Sequence, residues 1–258
     1  MAALSFHARS NSFPAESHPL VSEIDEQVCR LRQSQAASTS SSISHKLNGL
    51  QDLYGIVDKL LQLSTTQQAL KTFNELLEGS LRLLDLCNTA KDALSQMNES
   101  VSELQSAIRR RQGGLEGETR RYLKSRNTVR KAIQKALKGM DSKKSTSSNN
   151  VEAISMLKEA ESAVVEVFEC LLSFIYQSSS KPSSWSFVSK LKKVAAASSN
   201  ENEFAEVDAS LKTNKSGEEV QVHLKNLQPC IQDLEEGVEW LLRRVIKTRA
   251  SILNIHNL

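Results

Sequence analysis

The sequence predicts an all-α protein, an elongated and mostly antiparallel helical bundle with long coiled-coil-like helices and a disordered N-terminal tail. Apolar residues recur every three or four positions over most of the chain, which is the spacing of one helix face. Only 9 glycines, 4 prolines and 5% aromatic residues are available for turns and strands. This composition disfavours all-β folds and glycine-rich nucleotide-binding folds.

The N-terminal part contains a tail and two short apolar seams, that is, rows of apolar residues along one face of a helix. Pro14 and Pro19 delay helix formation, so residues 1–19 are predicted to be a disordered tail. A serine-rich break at Ser38 to Ser42 separates the two seams. The first seam consists of Leu20, Ile24, Val28 and Leu31, and the second of Ile43, Leu47, Leu50, Tyr54, Val57 and Leu61.

The middle of the chain predicts three further helices. A very long helix is expected from about Thr66 toward Gln112, with a bend near Gly79 or Asn88. The glycine-rich stretch 113–117 is read as a break, because no strand precedes it and the dinucleotide spacing is absent. Helix resumes through Gly139, and a last helix of this part ends near residue 177. The inward residues of the resumed helix are predicted to be Tyr122, Val129, Ile133 and Leu137.

The C-terminal segment has the most regular seam. Apolar residues alternate at spacings of four and three from Val220 to Ile255, and Thr248 is the one polar member. Pro229 is expected to kink or locally unwind this helix, because it lacks an N–H and crowds the carbonyl four residues earlier.

These patterns define four regions. Residues 1–19 form the tail, 20–177 the first part of the bundle, 178–200 a serine-rich linker, and 201–258 the C-terminal helices that complete the same bundle. A monomer is favoured, because the chain supplies at least four complementary seams itself. The alternative is that a second copy completes some seams.

Composition limits the class of protein. The four cysteines are widely spaced and suggest reduced thiols, so an intracellular and most simply cytoplasmic protein is expected. Nuclear, peripheral membrane and plastid locations stay open, since the acid-poor start faintly resembles a transit peptide. The sequence contains no run of 18 apolar residues, so no transmembrane helix is predicted.

The sequence shows no catalytic motif. The histidines are scattered singly, and hydrolase, zinc-protease, Walker and kinase signatures are absent. No catalytic residue, metal ligand or cofactor is therefore assigned. An enzyme is disfavoured but not excluded, because a catalytic constellation can be hidden by sequence order.

Positive charge is concentrated between residues 109 and 144, where 13 lysines and arginines stand against three acidic residues. Such a surface attracts phosphate on a lipid headgroup, a phosphoprotein or, less well without aromatic residues, nucleic acid. The other interpretation is a solvated face partly neutralised by acids near Glu235. The cations that share one helical face, opposite the predicted inward residues, are Arg120, Lys124, Lys131, Lys135 and Lys138.

The tail contains a candidate phosphorylation motif. Arg9 lies three residues before Ser12, which suits a basophilic kinase, and Arg9, Ser10, Ser12 and Pro14 match a ligand pattern of 14-3-3 proteins. Phosphate on Ser12 would offer strong acceptors to an arginine cluster. Chance matches in serine-rich tails are the alternative.

Several strings resemble the plant-specific Bypass-like family over nearly the whole chain. The resemblance implies a helical plant protein with a role in root and shoot development, and it carries over no catalytic residue. Between Leu70 and Glu75 the chain is shorter than the family pattern, in which a longer polar joint stands here. The resemblance therefore argues against one continuous helix through Phe73. The strings are Phe6 to Pro14, Leu50 to Leu53, Glu75 to Asp85, Lys181 to Trp185, Arg243 to Arg249 and Leu253 to Ile255.

Two functional hypotheses follow. The first is a non-catalytic regulatory or interaction protein whose tail binds a partner after phosphorylation. The alternative is an enzyme or carrier of a small signalling metabolite, which requires a concave pocket with converging polar groups inside the bundle.

Overall fold

The computed structural model describes residues 18–33, 39–71, 74–110, 115–141, 152–177, 202–213 and 216–257, and the regular elements in these ranges are all α-helices. The predicted all-α class is confirmed. The helices are α1 (Pro19–Gln33), α2 (Ser40–Leu61), α3 (Ser64–Leu70), α4 (Glu75–Arg110), α5 (Leu115–Asp141), α6 (Glu152–Tyr176), α7 (Glu203–Lys212) and α8 (Gly217–Asn257).

Helix starts follow local capping chemistry. Thr39 caps α2, because its side chain accepts a hydrogen bond from the Ser42 amide. The Ser42 hydroxyl in turn accepts a hydrogen bond from the Thr39 amide. Glu203 of α7 reinforces this end, because its carboxylate accepts from the amide and hydroxyl of Ser40. A negative charge at a helix N-terminus is favourable, since unpaired amides and the helix dipole both face it.

Four helices form the main core. The two longest helices, α4 and α8, run antiparallel and pack against each other. Gln105, near the C-terminal end of α4, donates to the carbonyl of Leu224, near the N-terminal end of α8. Helix α2 lies along α8 in the same direction, and α6 lies along α4 in the same direction. The seams predicted for α2, α6 and α8 are buried, but the inward seam that the spacing predicts through Leu77, Leu81 and Leu84 in the first half of α4 is wrong. Leu81 is exposed and the other two are half-buried, whereas Leu76, Leu83 and Leu86 face the core instead. At 1.5 Å per residue α8 is about 60 Å long, so the bundle is elongated.

The remaining helices cover this core. Helix α1 packs antiparallel on α2 and also contacts α6, while α5 packs antiparallel on α4. The short helix α7 packs against α8, so the C-terminal helices belong to the same packed unit as the rest.

The structure corrects the extent of the predicted long helix, which is broken between Leu70 and Glu75. Helix α4 is continuous through Gly79 and Asn88, the two positions at which a bend is expected. Helix α8 also continues through Pro229 without local unwinding. Leu47 packs against Gly237, within 2.9 Å of where a Cβ on that glycine would be, so α2 supports α8 closely in this region.

Candidate functional site

Helix α5 is oriented by a narrow apolar face. Its four predicted inward residues, Tyr122, Val129, Ile133 and Leu137, are all buried, which confirms the predicted orientation. The helix begins at Leu115, two residues before the end of the predicted glycine-rich break. The opposite face of α5 is therefore directed to solvent.

The outward face of α5 carries the predicted cations, which we call the basic stripe: Arg120, Lys124, Lys131, Lys135 and Lys138. All five are exposed, and they span about 27 Å of helix at 1.5 Å per residue. Arg120 forms an exposed ion pair with Glu116 at 3.4 Å. Among the described residues no ion pair is recorded for Lys124, Lys131 or Lys135.

Beside the basic stripe, α4 carries three exposed carboxylates that we call the acidic row: Asp92, Glu99 and Glu103. The hydrogen bond of 2.7 Å between Ser100 and Ser125 sets the antiparallel register of α4 and α5. In this register Glu99 is nearly level with Lys124, and Asp92 with Lys131. The basic stripe and the acidic row therefore place opposite charges on neighbouring helices. The acidic row reduces the positive electrostatic potential of the stripe at a distance.

Glu235 does not contribute to this neutralisation. Its carboxylate accepts from Asn98 of α4 at 3.0 Å, whereas Ser100, two residues further, contacts α5. Two residues correspond to about 200° of rotation around a helix, so Glu235 and α5 lie on opposite flanks of α4. The acids that neighbour the stripe come from α4 instead.

Two arginines of the basic segment do not face solvent. Arg126 is fully buried, and its guanidinium donates three bonds of 3.2–3.3 Å to Asp208 of α7 and stacks 4.7 Å from the Phe204 ring centre. Arg130, which is 15% exposed, also donates to Asp208. We call Arg126, Arg130, Asp208 and Asn202 together the arginine clamp.

The arginine clamp closes the end of α6. Arg126 donates to the carbonyls of Ile175 (2.7 Å) and Gln177 (3.0 Å), and Arg130 donates to that of Tyr176 (3.0 Å). The last carbonyls of a helix lack partners within the helix and carry partial negative charge. Cations at this position therefore satisfy acceptors and helix dipole together.

Asn202 joins the ends of two helices. Its amide group donates to the Phe174 carbonyl of α6 at 2.6 Å, and its side-chain oxygen accepts from the Phe204 amide of α7 at 2.8 Å. One side chain thus caps the end of α6 and the start of α7, so α7 begins where α6 stops. Residues 177 and 202 therefore lie next to each other.

The arginine clamp is the polar centre that the sequence analysis missed. A signal for it was present, because Tyr122 and Val129 are seven residues apart and the seam position between them is Arg126. An arginine in an apolar seam indicates a buried partner. The partner, Asp208, lies between the buried residues Val207 and Leu211 of a short helix with no long seam.

A small cavity lies in the four-helix core. Its volume is about 50 Å³, and its lining is mostly aliphatic, with polar groups from Tyr54, Ser80, Glu161 and Thr248. The Thr248 hydroxyl is buried and has no partner among the described residues. Pockets for drug-sized ligands measure about 300–1,000 Å³, whereas a water needs about 10–15 Å³. This cavity has room for a few waters.

Glu161 explains the glycine at position 79. A Cβ there would lie 2.1 Å from a Glu161 carboxylate oxygen, so the absent side chain makes room for the carboxylate against α4. Burial raises the pKa of Glu161, and the hydrogen bond from Arg82 at 2.9 Å opposes this increase. The carboxylate of Glu161 therefore occupies the space that a side chain at position 79 would take.

The described residues show few other chemical groups. The four cysteines are free, and no cluster of three or more potential metal ligands occurs in the described ranges. None of the helices described here is both long and apolar enough to span a membrane. The candidate tail motif, Arg9, Ser10, Ser12 and Pro14, lies outside the described residues.

Comparison with known proteins gives one match. A family model described as Protein BPS1, of the Bypass-like plant family, matches residues 46–255. No curated protein and no solved structure matches the chain. The matched range begins within α2 and ends within α8, so it includes the basic stripe and the arginine clamp.

Proposed function

The chain belongs to the Bypass-like plant family, which implies a plant developmental regulator, and from this premise we propose that it acts without catalysis, by binding other proteins in root and shoot development. The observation that carries the proposal is the basic stripe, a row of exposed cations on a helix fixed from behind by a buried network. Rigid mounting lowers the entropy lost on binding.

The partner of the basic stripe is an acidic or phosphorylated protein segment. An anionic membrane is less suitable, because a flat negative surface would repel the three carboxylates of the acidic row while it attracts the five cations of the stripe. A protein partner carries its own charge pattern and can place phosphate or carboxylate over α5 alone. Four of the five cations are lysines, which act as point charges and tolerate several acceptor geometries.

The N-terminal tail supplies a second, regulated contact. Phosphorylation of Ser12 by a basophilic kinase would create a ligand for a 14-3-3 protein, with Arg9 as part of the kinase motif and Pro14 turning the chain out of the groove. The sequence motif supports this step. An intracellular, most simply cytoplasmic, location is part of the proposal, since both partners are intracellular.

Affinity purification with mass spectrometry from plant cells tests both contacts. We expect Ser12→Ala to lose 14-3-3 proteins alone. We expect the Lys131→Gln/Lys135→Gln variant to lose a different set of partners, whereas the control Lys59→Gln/Lys225→Gln, which removes two exposed charges elsewhere, retains them. Partner lists that are the same for all variants would contradict the proposal.

Vesicle sedimentation separates protein partners from lipid. At physiological salt we expect no difference between neutral vesicles and vesicles containing phosphatidylserine. Binding to the anionic vesicles that is lost in Lys131→Gln/Lys135→Gln would instead assign the stripe to a membrane surface. The core cavity is far smaller than a metabolite pocket. A second concave region, a groove of about 450 Å³ between α2 and α8 beside His45, Asn48 and Asp233, is open to solvent and not enclosed within the bundle as the carrier hypothesis requires.

A further inference from the structure

Helix α4 has a row of apolar side chains that turns away from the core. Leu77, Leu81 and Leu84 recur at spacings of four and three, so they lie along one side of the helix. Leu77 and Leu84 are half-buried against the core, whereas Leu81 is 48% exposed. The row therefore forms the outer border of the helix rather than part of its inward face.

Helix α8 has a matching row. Leu242 and Leu253 are half-buried, and Ile246 between them is 51% exposed. Leu81 and Ile246 are two of the large apolar side chains that the described residues leave exposed, and the third, Val222, is 57% exposed near the other end of α8. Most exposed apolar residues are scattered singly, so two adjacent rows are informative.

Contacts between α4 and α8 place the two rows side by side. Arg249 donates to the Ser80 hydroxyl at 2.7 Å, and Asn98 donates to Glu235 at 3.0 Å. In this antiparallel register Leu84 is level with Ile246, and Leu77 is level with Leu253. We call the combined surface the outer seam: Leu77, Leu81, Leu84, Leu242, Ile246 and Leu253.

We propose that the outer seam is an interface between two copies of this chain, related by a two-fold axis parallel to α4 and α8. Such an axis places α4 of each copy on α8 of the other at the same level, so apolar rows meet apolar rows. Two-fold dimers are the commonest symmetric assemblies, and the same patch then serves both copies. The interior seams that favoured a monomer are satisfied within the chain, whereas the outer seam is not.

Charges beside the outer seam support this occupant and this axis. Asp85 of one copy is level with Arg243 of the other, and Lys91 is level with Glu239. All four side chains are at least partly exposed. Arg243 and Glu239 pair with each other within α8 at 2.9 Å, but this pair is exposed and weak, so both can exchange it for pairs at the rim. With an axis perpendicular to the helices, α4 would meet α4 in reverse, and Asp85 would face Glu78. Like charges in contact disfavour that arrangement.

Sedimentation velocity of the full chain across the micromolar range tests the interface. We expect a reversible monomer–dimer equilibrium at physiological salt. Leu81→Gln/Ile246→Gln should raise the dissociation constant by more than about tenfold, because central apolar side chains carry most interface energy. Val222→Gln is the matched control, since it removes an equally exposed apolar side chain outside the seam, and should leave the constant unchanged.

A charge exchange tests the axis. Asp85→Arg and Arg243→Asp should each weaken the dimer, and the double variant should restore it, because the pair is re-formed with reversed sign. Far-UV circular dichroism confirms that each variant remains folded. The proposal is overturned by a wild type that stays monomeric, by a dimer insensitive to Leu81→Gln/Ile246→Gln, by equal weakening in Val222→Gln, or by a double variant that stays weak.

Discussion

Replacing Asp208 by asparagine should strongly destabilise the fold. The substitution keeps the shape and one acceptor but removes the only acidic partner recorded for Arg126 and Arg130 among the described residues. Arg126 and Asp208 are both fully buried, so water cannot solvate the charge that remains. Breaking a buried ion pair by removing one partner costs about 3–5 kcal/mol, and we expect a loss in the free energy of unfolding of this size.

Asp58 provides the matched control for this variant. It also receives two cations, Arg244 at 2.9 Å and Lys247 at 3.2 Å, but its side chain is 22% exposed and that of Lys247 is 62% exposed. Arg244 is 23% exposed, so solvent reaches both members of this pair, unlike the fully buried Arg126 and Asp208. Asp58→Asn should therefore reduce the free energy of unfolding by about 1–2 kcal/mol, less than Asp208→Asn does.

Urea unfolding followed by circular dichroism at equilibrium measures both variants. The midpoint should fall much further for Asp208→Asn than for Asp58→Asn, with similar slopes for the two. Equal losses would refute the reasoning, because they would mean that burial does not determine the strength of these pairs. Replacing Arg126 as well should not restore stability, since the carbonyls at the end of α6 would then lose their donors.

Three further measurements test local features. Gly55→Ala, which has no atom of another element within 4 Å, should raise the free energy of unfolding by about 0.5–1 kcal/mol in the same urea assay. Gly79→Ala should raise it less or lower it, because the new Cβ would displace the carboxylate of Glu161, and equal gains in the two variants would contradict this reasoning. Thr248→Val should raise the free energy of unfolding by about 1 kcal/mol, because the buried hydroxyl has no partner among the described residues, and a decrease would indicate a bound water. In mildly alkaline buffer, iodoacetamide should modify the exposed Cys29 well before Cys87, because burial raises the pKa of Cys87 to about 12. Mass spectrometry follows both reactions, and equal rates would contradict this expectation.

The regular helices were predictable because their apolar spacing is a local property of the chain. Leu224 to Leu241 alternate at four and three residues, and the helix that carries them is one continuous element. The break between Leu70 and Glu75 was not located by the same logic, since Leu70 and Leu77 fit one seam although they belong to different helices. Periodicity predicts which face is apolar and does not require that the backbone be continuous.

The polar centre depended on contacts that sequence order hides. Arg126 and Asp208 are 82 residues apart, and nothing local to either indicates the other. The basic stripe, in contrast, was predictable, because its members share one face of one helix. Its electrostatic surroundings were not, since the acidic row belongs to a neighbouring helix and becomes adjacent only through packing.

The end-to-end joint at Asn202 has a consequence for the length of the chain. Because α7 starts where α6 stops, the distance from residue 177 to residue 202 is set by hydrogen bonds within the bundle and not by the residues between them. A change in the number of residues between 177 and 202 should therefore leave the end of α6 and the start of α7 in place. A reporter domain inserted at this joint would have both termini attached at one fixed point of the bundle surface. The fold thus offers a permissive attachment site next to its most strongly bonded polar centre.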